Sequence, residues 1–234
     1  MSENEICIYC SENTSNTIGI EHVIPESLGF KETLPKGYVC DNCNNYFANL
    51  DNVIVHNRFI ALQVGTEQIP GKKDKIRKEI GNKLSFSEKG YFSLTSDTLN
   101  IPSGKLEESY EFKFSQDKVF NEMKFARGIH KIAFNLYAFN YGQRASLNQK
   151  FDNLRRYIKN PYKKEFWKYA VKYSPNSNNR FIKKNIVVFN IYNIEFMVSL
   201  VNDLDEKIAI NNGYKILYTD NEWNHNSLFG LKDE

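Results

Sequence analysis

All four cysteines of the chain fall into two short pairs, Cys7 with Cys10 and Cys40 with Cys43, each spaced C-x2-C and separated by 29 residues. A C-x2-C turn presents two thiolates to one cation, and two such turns complete a tetrahedron around zinc. A redox pair needs only one C-x-x-C, and disulfides do not persist in a reducing cytosol. The spacing therefore predicts one structural Zn2+ held by Cys7, Cys10, Cys40 and Cys43. A closed four-thiolate site has no open position for water and does no chemistry. Its contribution is folding energy for a segment with few apolar residues of its own. Any chemistry must come from residues between and beside the pairs.

Between the pairs, "TIGIEHVIP" alternates apolar and polar residues, which predicts a strand ending near His22 and stopped by Pro25. "ENTSN" reads as a polar turn, residues 5 to 10 as a strand entering the first pair, and "KGYVC" as a second short strand. From Cys40 the period changes. Phe47, Leu50 and Ile54 lie three and four apart, so a helix is expected from Asp41 to Val55 and onward toward Leu62, with Asp41 as its N-cap. "IPGKKDK" marks a boundary, giving a zinc module over 1–70 and a second domain over 71–234. That second part contains strand-like "GYFSLTSDTLNI" and "ESYEFKFS", then a strong helix over 117–140. A second helical run over 145–173 is broken at Pro161, a hairpin turns at Asn193, and "YKILYT" is a last strand. The fold class is α+β.

"EHVIP", the downstream "CDNCNNYF" and the two framing cysteine pairs together resemble the zinc-containing HNH endonucleases, over residues 5 to about 60. The resemblance implies a ββα-metal fold for the N-terminal module. It also implies that His22 is the general base that takes a proton from the attacking water. Glu21 and Asn44 would bind a catalytic divalent ion, Mg2+ or Mn2+. The family's middle Asn has no counterpart in "LPKGYV", and Glu21 stands where Asp is usual. On a strand Glu21 and His22 point to opposite faces, so a bend near Pro25 is expected to bring both toward one phosphate. Asn45 and Asp51 follow on the same helix, either orienting the ligands or facing solvent. His130 reads as core, His56 as a helix-end residue, and His225 as part of a polar tail.

The net charge of +3 hides an asymmetry. Residues 1–70 carry three basic and nine acidic side chains, whereas 150–184 carry eleven basic and two acidic ones. A field of that sign attracts polyanions. Arg155, Arg156, Lys159, Lys163, Lys164 and Lys168 are the candidate nucleic-acid contacts, interleaved with aromatic rings. A solvated helix face with an aromatic core side accounts for the same pattern. The partner expected from the resemblance is DNA, in a nuclease of the kind used in restriction or anti-phage defence. A non-catalytic zinc-ribbon binding subunit and an RNA nuclease are the alternatives. No apolar run is long enough to span a membrane, and the N-terminus has no signal-like pattern, so the expected setting is cytoplasmic. Self-association and a defence-system partner protein stay open.

Overall fold

Residues 125–138 are buried without a break, so the helix that carries them forms the centre of the molecule. The computed structural model describes residues 5–72, 75, 79–80, 84–86, 92–94, 121–159, 167–175 and 177–217. After the first cysteine turn come helices α1 (Asp41–Val55) and α2 (Arg58–Thr66). Strands β1 (Glu79–Ile80), β2 (Leu84–Phe86) and β3 (Phe92–Leu94) form a small antiparallel sheet. The chain continues through α3 (Glu122–Ser146), α4 (Asp152–Lys159), β4 (Tyr169–Tyr173), β5 (Arg180–Lys183), β6 (Ile186–Ile191), β7 (Ile194–Ser199), α5 (Glu206–Asn211) and β8 (Lys215–Leu217). The class is α+β. "ESYEFKFS" lies outside the described residues, as does most of "GYFSLTSDTLNI".

The second sheet is antiparallel throughout, in the order β5-β6-β7-β4-β8. Its β6–β7 hairpin pairs Ile191 with Ile194 across Tyr192 and Asn193, as the turn at Asn193 implies. Alternate residues of a strand face opposite sides. Val187, Phe189, Ile191, Phe196 and Val198 enter the main core, while Ala170 packs with Ala209 and Tyr214 on the far side. Helix α3 touches α1, α4, β6 and β7. It has no solvent face along its middle, which is why its apolar residues are spread around the axis. Gly128 permits the closest approach, because a Cβ there would come within 2.7 Å of Ile54 Cδ1. The helix is interrupted near its end at Gly142 (φ 84°, ψ 171°).

Several expectations change. Of the three strands expected in the N-terminal module, two are reduced to isolated bridges, Ile6 with Asn13 and His22 with Thr33, and "KGYVC" is a turn and bend. The segment before His22 is extended but has its Ile18 and Gly19 N–H groups bound by the Asp41 carboxylate, at 3.1 and 2.7 Å, so no partner strand takes them. That contact also removes Asp41 from the N-cap role. The cap is Cys40, whose sulfur accepts from Cys43 N–H. Helix α1 stops at His56, and Asn57 accepts the Ile60 N–H at 3.3 Å, which starts α2 afresh. The helical run expected over 145–173 ends in a strand, because Tyr169–Tyr173 pairs with both β7 and β8. Residues on both sides of the 70/71 boundary share one hydrophobic core, with Phe47, Leu50 and Ile54 of α1 joining Ile129, Ile132 and Ala133 of α3.

His130 is a core residue, as expected. It has no exposed surface, bonds Ala126 O through Nδ1 at 2.8 Å, and is ringed by Tyr157, Trp167 and Tyr169. Burial pushes its pKa down to about 4. The unfolded chain takes up this proton below about pH 6.5, and the folded chain resists it until about pH 4. Stability should therefore fall as pH drops through that window, by up to about 3 kcal/mol from this residue. Urea denaturation at pH 7 and pH 5 should show a smaller pH effect in His130→Phe than in the parent. An equal effect in both would show that His130 does not carry it.

Candidate functional site

The four cysteine sulfurs lie within 4.8 Å of one another, and Cys10 and Cys40 are 3.5 Å apart. Zinc–sulfur bonds of about 2.3 Å in a tetrahedron put sulfurs roughly 3.8 Å apart, so the set fits zinc. The knuckle backbone is already shaped for it, with Ser11 N–H on Cys7 O at 2.9 Å and Asn44 N–H on Cys40 O at 3.0 Å. A hydrogen bond from Cys43 lowers the Cys7 pKa to about 5, while the same contact drives Cys43 far up, and burial lifts Cys10 to about 11. Thiols this close cannot all ionise without a cation among them. By composition and geometry the cluster suits a structural zinc.

Glu21 and His22 follow on the extended segment that runs along α1. Gly19 marks how tight that seam is: a Cβ there would meet the Asn44 side chain at 2.7 Å and Asp41 Oδ1 at 2.9 Å. Glu21 is two residues further on, so it shares the side facing α1. The Asn44 side chain thus borders Gly19, two residues before Glu21. His22 is on the other side, with its side chain partly exposed and Nε2 3.7 Å from Glu26 Oε2. The polypeptide turns just after it, through a 3-10 turn at Glu26–Leu28 following Pro25.

The Glu21 carboxylate is not directed at open solvent. Lys131 Nζ of α3 lies 2.5 Å from its Oε1 and 2.8 Å from Asp51 Oδ1. Asn135, one turn along α3, donates to Glu21 Oε1 and to the His22 carbonyl, both at 3.0 Å, and its own oxygen accepts from Tyr9 at 2.6 Å. Burial raises the Glu21 pKa and Lys131 pulls it back, while the two carboxylates hold Lys131 charged against its burial. Two carboxylates thus face the one ammonium, and Asp51 and Glu21 share Lys131 as their counter-charge. Lys131, Asn135 and Tyr9 were not among the residues singled out from the sequence. The available signal was a lysine and an asparagine four apart, on one face of the most buried stretch of a helix.

The basic stretch behaves differently from its sequence reading. Arg155 is buried, donating to Ser146 O at 2.7 Å and Asn148 O at 3.2 Å and bonding Asp152, so it closes the α3–α4 connection and is removed from the phosphate contacts. Lys168 is 2.5 Å from Glu206. Lys159 lies against the cysteines, where burial opposes its charge but the Cys43 and Cys10 sulfurs outweigh that and raise its pKa. Arg156 is on the surface, bonded to Asn153. Lys163 and Lys164 lie outside the described residues.

Residues 7–58 match the family model of the HNH endonucleases. This segment is an HNH endonuclease module. The match begins at the first cysteine, takes in both pairs, Glu21, His22 and Asn44, and ends just past α1. The family is one of nucleases, so nucleic acid is the class of molecule the HNH module handles. No curated protein and no solved structure matches the chain. Among the described residues no helix is long and apolar enough to cross a membrane.

Two outcomes test this site. The purified protein should carry about one zinc per chain by elemental analysis, and Cys→Ser at Cys7 or Cys43 should lose it together with the folding of residues 5–60. Folded protein free of zinc would refute the assignment. Lys131→Met should cost about 3 kcal/mol in urea denaturation, since it strands two carboxylates. Adding Glu21→Gln should recover part of that loss, and no recovery would mean that packing, not charge, is what Lys131 supplies.

Proposed function

We propose that the protein is a metal-dependent endonuclease that hydrolyses DNA phosphodiester bonds, with His22 as general base and Glu21 and Asn44 as ligands of a divalent ion. The observation that carries this reading is the grip of α3 on the "EH" dipeptide. Asn135 holds the Glu21 side chain and the His22 backbone together, and His22 is left facing outward on an HNH module. A group held by rigid elements in this way is prepared for chemistry without further ordering.

The donor set suits a hard cation. Both protein donors meet Glu21 Oε1, which leaves Oε2 and the Asn44 amide oxygen as the oxygen ligands. Such a site favours Mg2+ or Mn2+, which retain several waters. Bound there, the ion would offset the charge that builds on the phosphate and the leaving oxygen. His22 would take the proton of the attacking water, and the Glu26 carboxylate beside it would steady the imidazolium that results. Asn44 sits in the first turn of α1. The resemblance of the module to the HNH endonucleases also supports a cytoplasmic role in restriction or anti-phage defence.

The test is cleavage of plasmid DNA with Mg2+ or Mn2+, against buffer without added divalent ion. His22→Ala should keep its zinc and its melting temperature while its cleavage rate falls by about a hundredfold or more. Excess metal should partly restore Asn44→Ala and should not restore His22→Ala. Cleavage by His22→Ala at the parent rate would overturn the assignment, and cleavage of RNA alone would change the substrate.

A further inference from the structure

The 3-10 turn Glu26–Leu28 that follows His22 is held from outside the HNH module. The Leu28 carbonyl and the Gly29 N–H belong to one planar peptide group. Its N–H donates to the Glu26 carbonyl at 2.8 Å. Its carbonyl accepts the hydroxyl of Tyr192, which stands 164 residues further along the chain at the tip of the β6–β7 hairpin. The Tyr192 ring also lies 6.0 Å from that of Phe30. A second tie holds the return of the same loop. Arg180 of β5 pairs with Glu32, whose carbonyl accepts the Val23 N–H at 2.9 Å, and Thr33 next to it is bridged to His22.

Tyr192 is an uncommon residue for its place. With Asn193 it forms the centre of the two-residue hairpin turn, where Asn and Gly are favoured because the backbone enters the left-handed region. Tyr192 adopts that conformation, with φ 54°, which costs energy for a bulky side chain. Strain at a residue beside a candidate site points to a task for its side chain. The contact that the side chain makes is the one with the Leu28 carbonyl.

His22 and Glu26 face each other at the start of this loop. Their side chains are 31% and 34% exposed, and His22 Nε2 lies 3.7 Å from Glu26 Oε2. That separation is longer than a hydrogen bond, so the pair depends on where the backbone turn places Glu26. A general base acts only when its ring nitrogen is aimed at the proton it takes, and a third group commonly aims it. Resting on the nuclease reading above, we propose that Tyr192 is a positioning residue for the reaction: it holds the turn that carries Glu26 and, through Glu26, orients the His22 ring. The larger sheet, which lies outside the HNH module, thereby takes part in that module's chemistry.

The experiment is a double-mutant cycle between Tyr192→Phe and Glu26→Gln in the full chain. Tyr192→Phe keeps the ring and removes only the hydroxyl. Two readouts are taken on the parent, both single variants and the double variant. The first is the His22 ring signal in a carbon–proton NMR spectrum at fixed pH without divalent ion, assigned by its loss in His22→Ala. Tyr192→Phe should move that signal and leave the His130 signal in place. In the Glu26→Gln background it should move the His22 signal no further. The second is plasmid cleavage. Tyr192→Phe should lower kcat by about fivefold, the factor that one net hydrogen bond represents, with KM unchanged. The same change should cost nothing more once Glu26 is Gln, because residues that act through one contact are not additive. Independent losses that multiply in the double variant would overturn the proposal, as would a His22 signal that ignores Tyr192→Phe. If the signal responds as stated but the parent cuts no nucleic acid, the nuclease reading falls and the hold of Tyr192 on His22 stands. If the parent cuts and the signal does not respond, that hold falls and the nuclease reading stands.

Discussion

The Lys131 ammonium is fully buried, and its charge survives there only because two carboxylates from separate segments meet it. Isolating such a charge in a protein interior costs several kcal/mol even after relaxation. The pairing is therefore obligatory, and it fixes three pieces of chain at once. Glu21 belongs to the extended segment before Pro25, Asp51 to α1 and Lys131 to α3. Asn135 adds the His22 carbonyl and Tyr9 to the same unit. The HNH module is consequently seated on α3, and its core is finished by residues that lie far along the chain.

Seen from the "EH" dipeptide, the supports come in two places. At one end, Asp41 holds the backbone of Ile18 and Gly19, and Asp41 itself stands in the first turn of a helix that begins at the cysteine cluster. At the other, α3 grips Glu21 and the His22 backbone. The cysteine cluster and the buried ion cluster thus divide the work. The cysteines set where α1 starts, and the ammonium sets how the segment lies along it. His22 needs neither contact through its ring, which leaves the imidazole free to face outward beside Glu26.

The fate of the basic residues follows from the same rule that buried or half-buried charge seeks a partner. Arg155 ties α3 to α4, Lys168 pairs with Glu206, and Lys172 lies 2.9 Å from the buried Glu195. Lys159 is drawn to the sulfurs. Much of the positive charge that stands out in the sequence over 150–184 therefore works inside the molecule.

Local rules made much of this protein legible. Two C-x2-C pairs call for one tetrahedral solution, and the four sulfurs gather within 4.8 Å of one another. The apolar spacing of Phe47, Leu50 and Ile54 has one helical reading, and α1 follows it. The β6–β7 hairpin likewise follows from its alternation and its turn. What the sequence by itself could not determine was the partner of each charge, because complementary charges here are separated by up to 148 residues, as between Arg180 and Glu32. Tyr169–Tyr173 became a strand because β7 and β8 flank it, and Asp41 left the cap because the Ile18 and Gly19 N–H groups were closer to hand. Lys131 looked like one more polar residue in an apolar helix. Only packing α3 against α1 and the "EH" segment turned it into the counter-charge of the site, since a charge reveals its role only once the water around it has been removed.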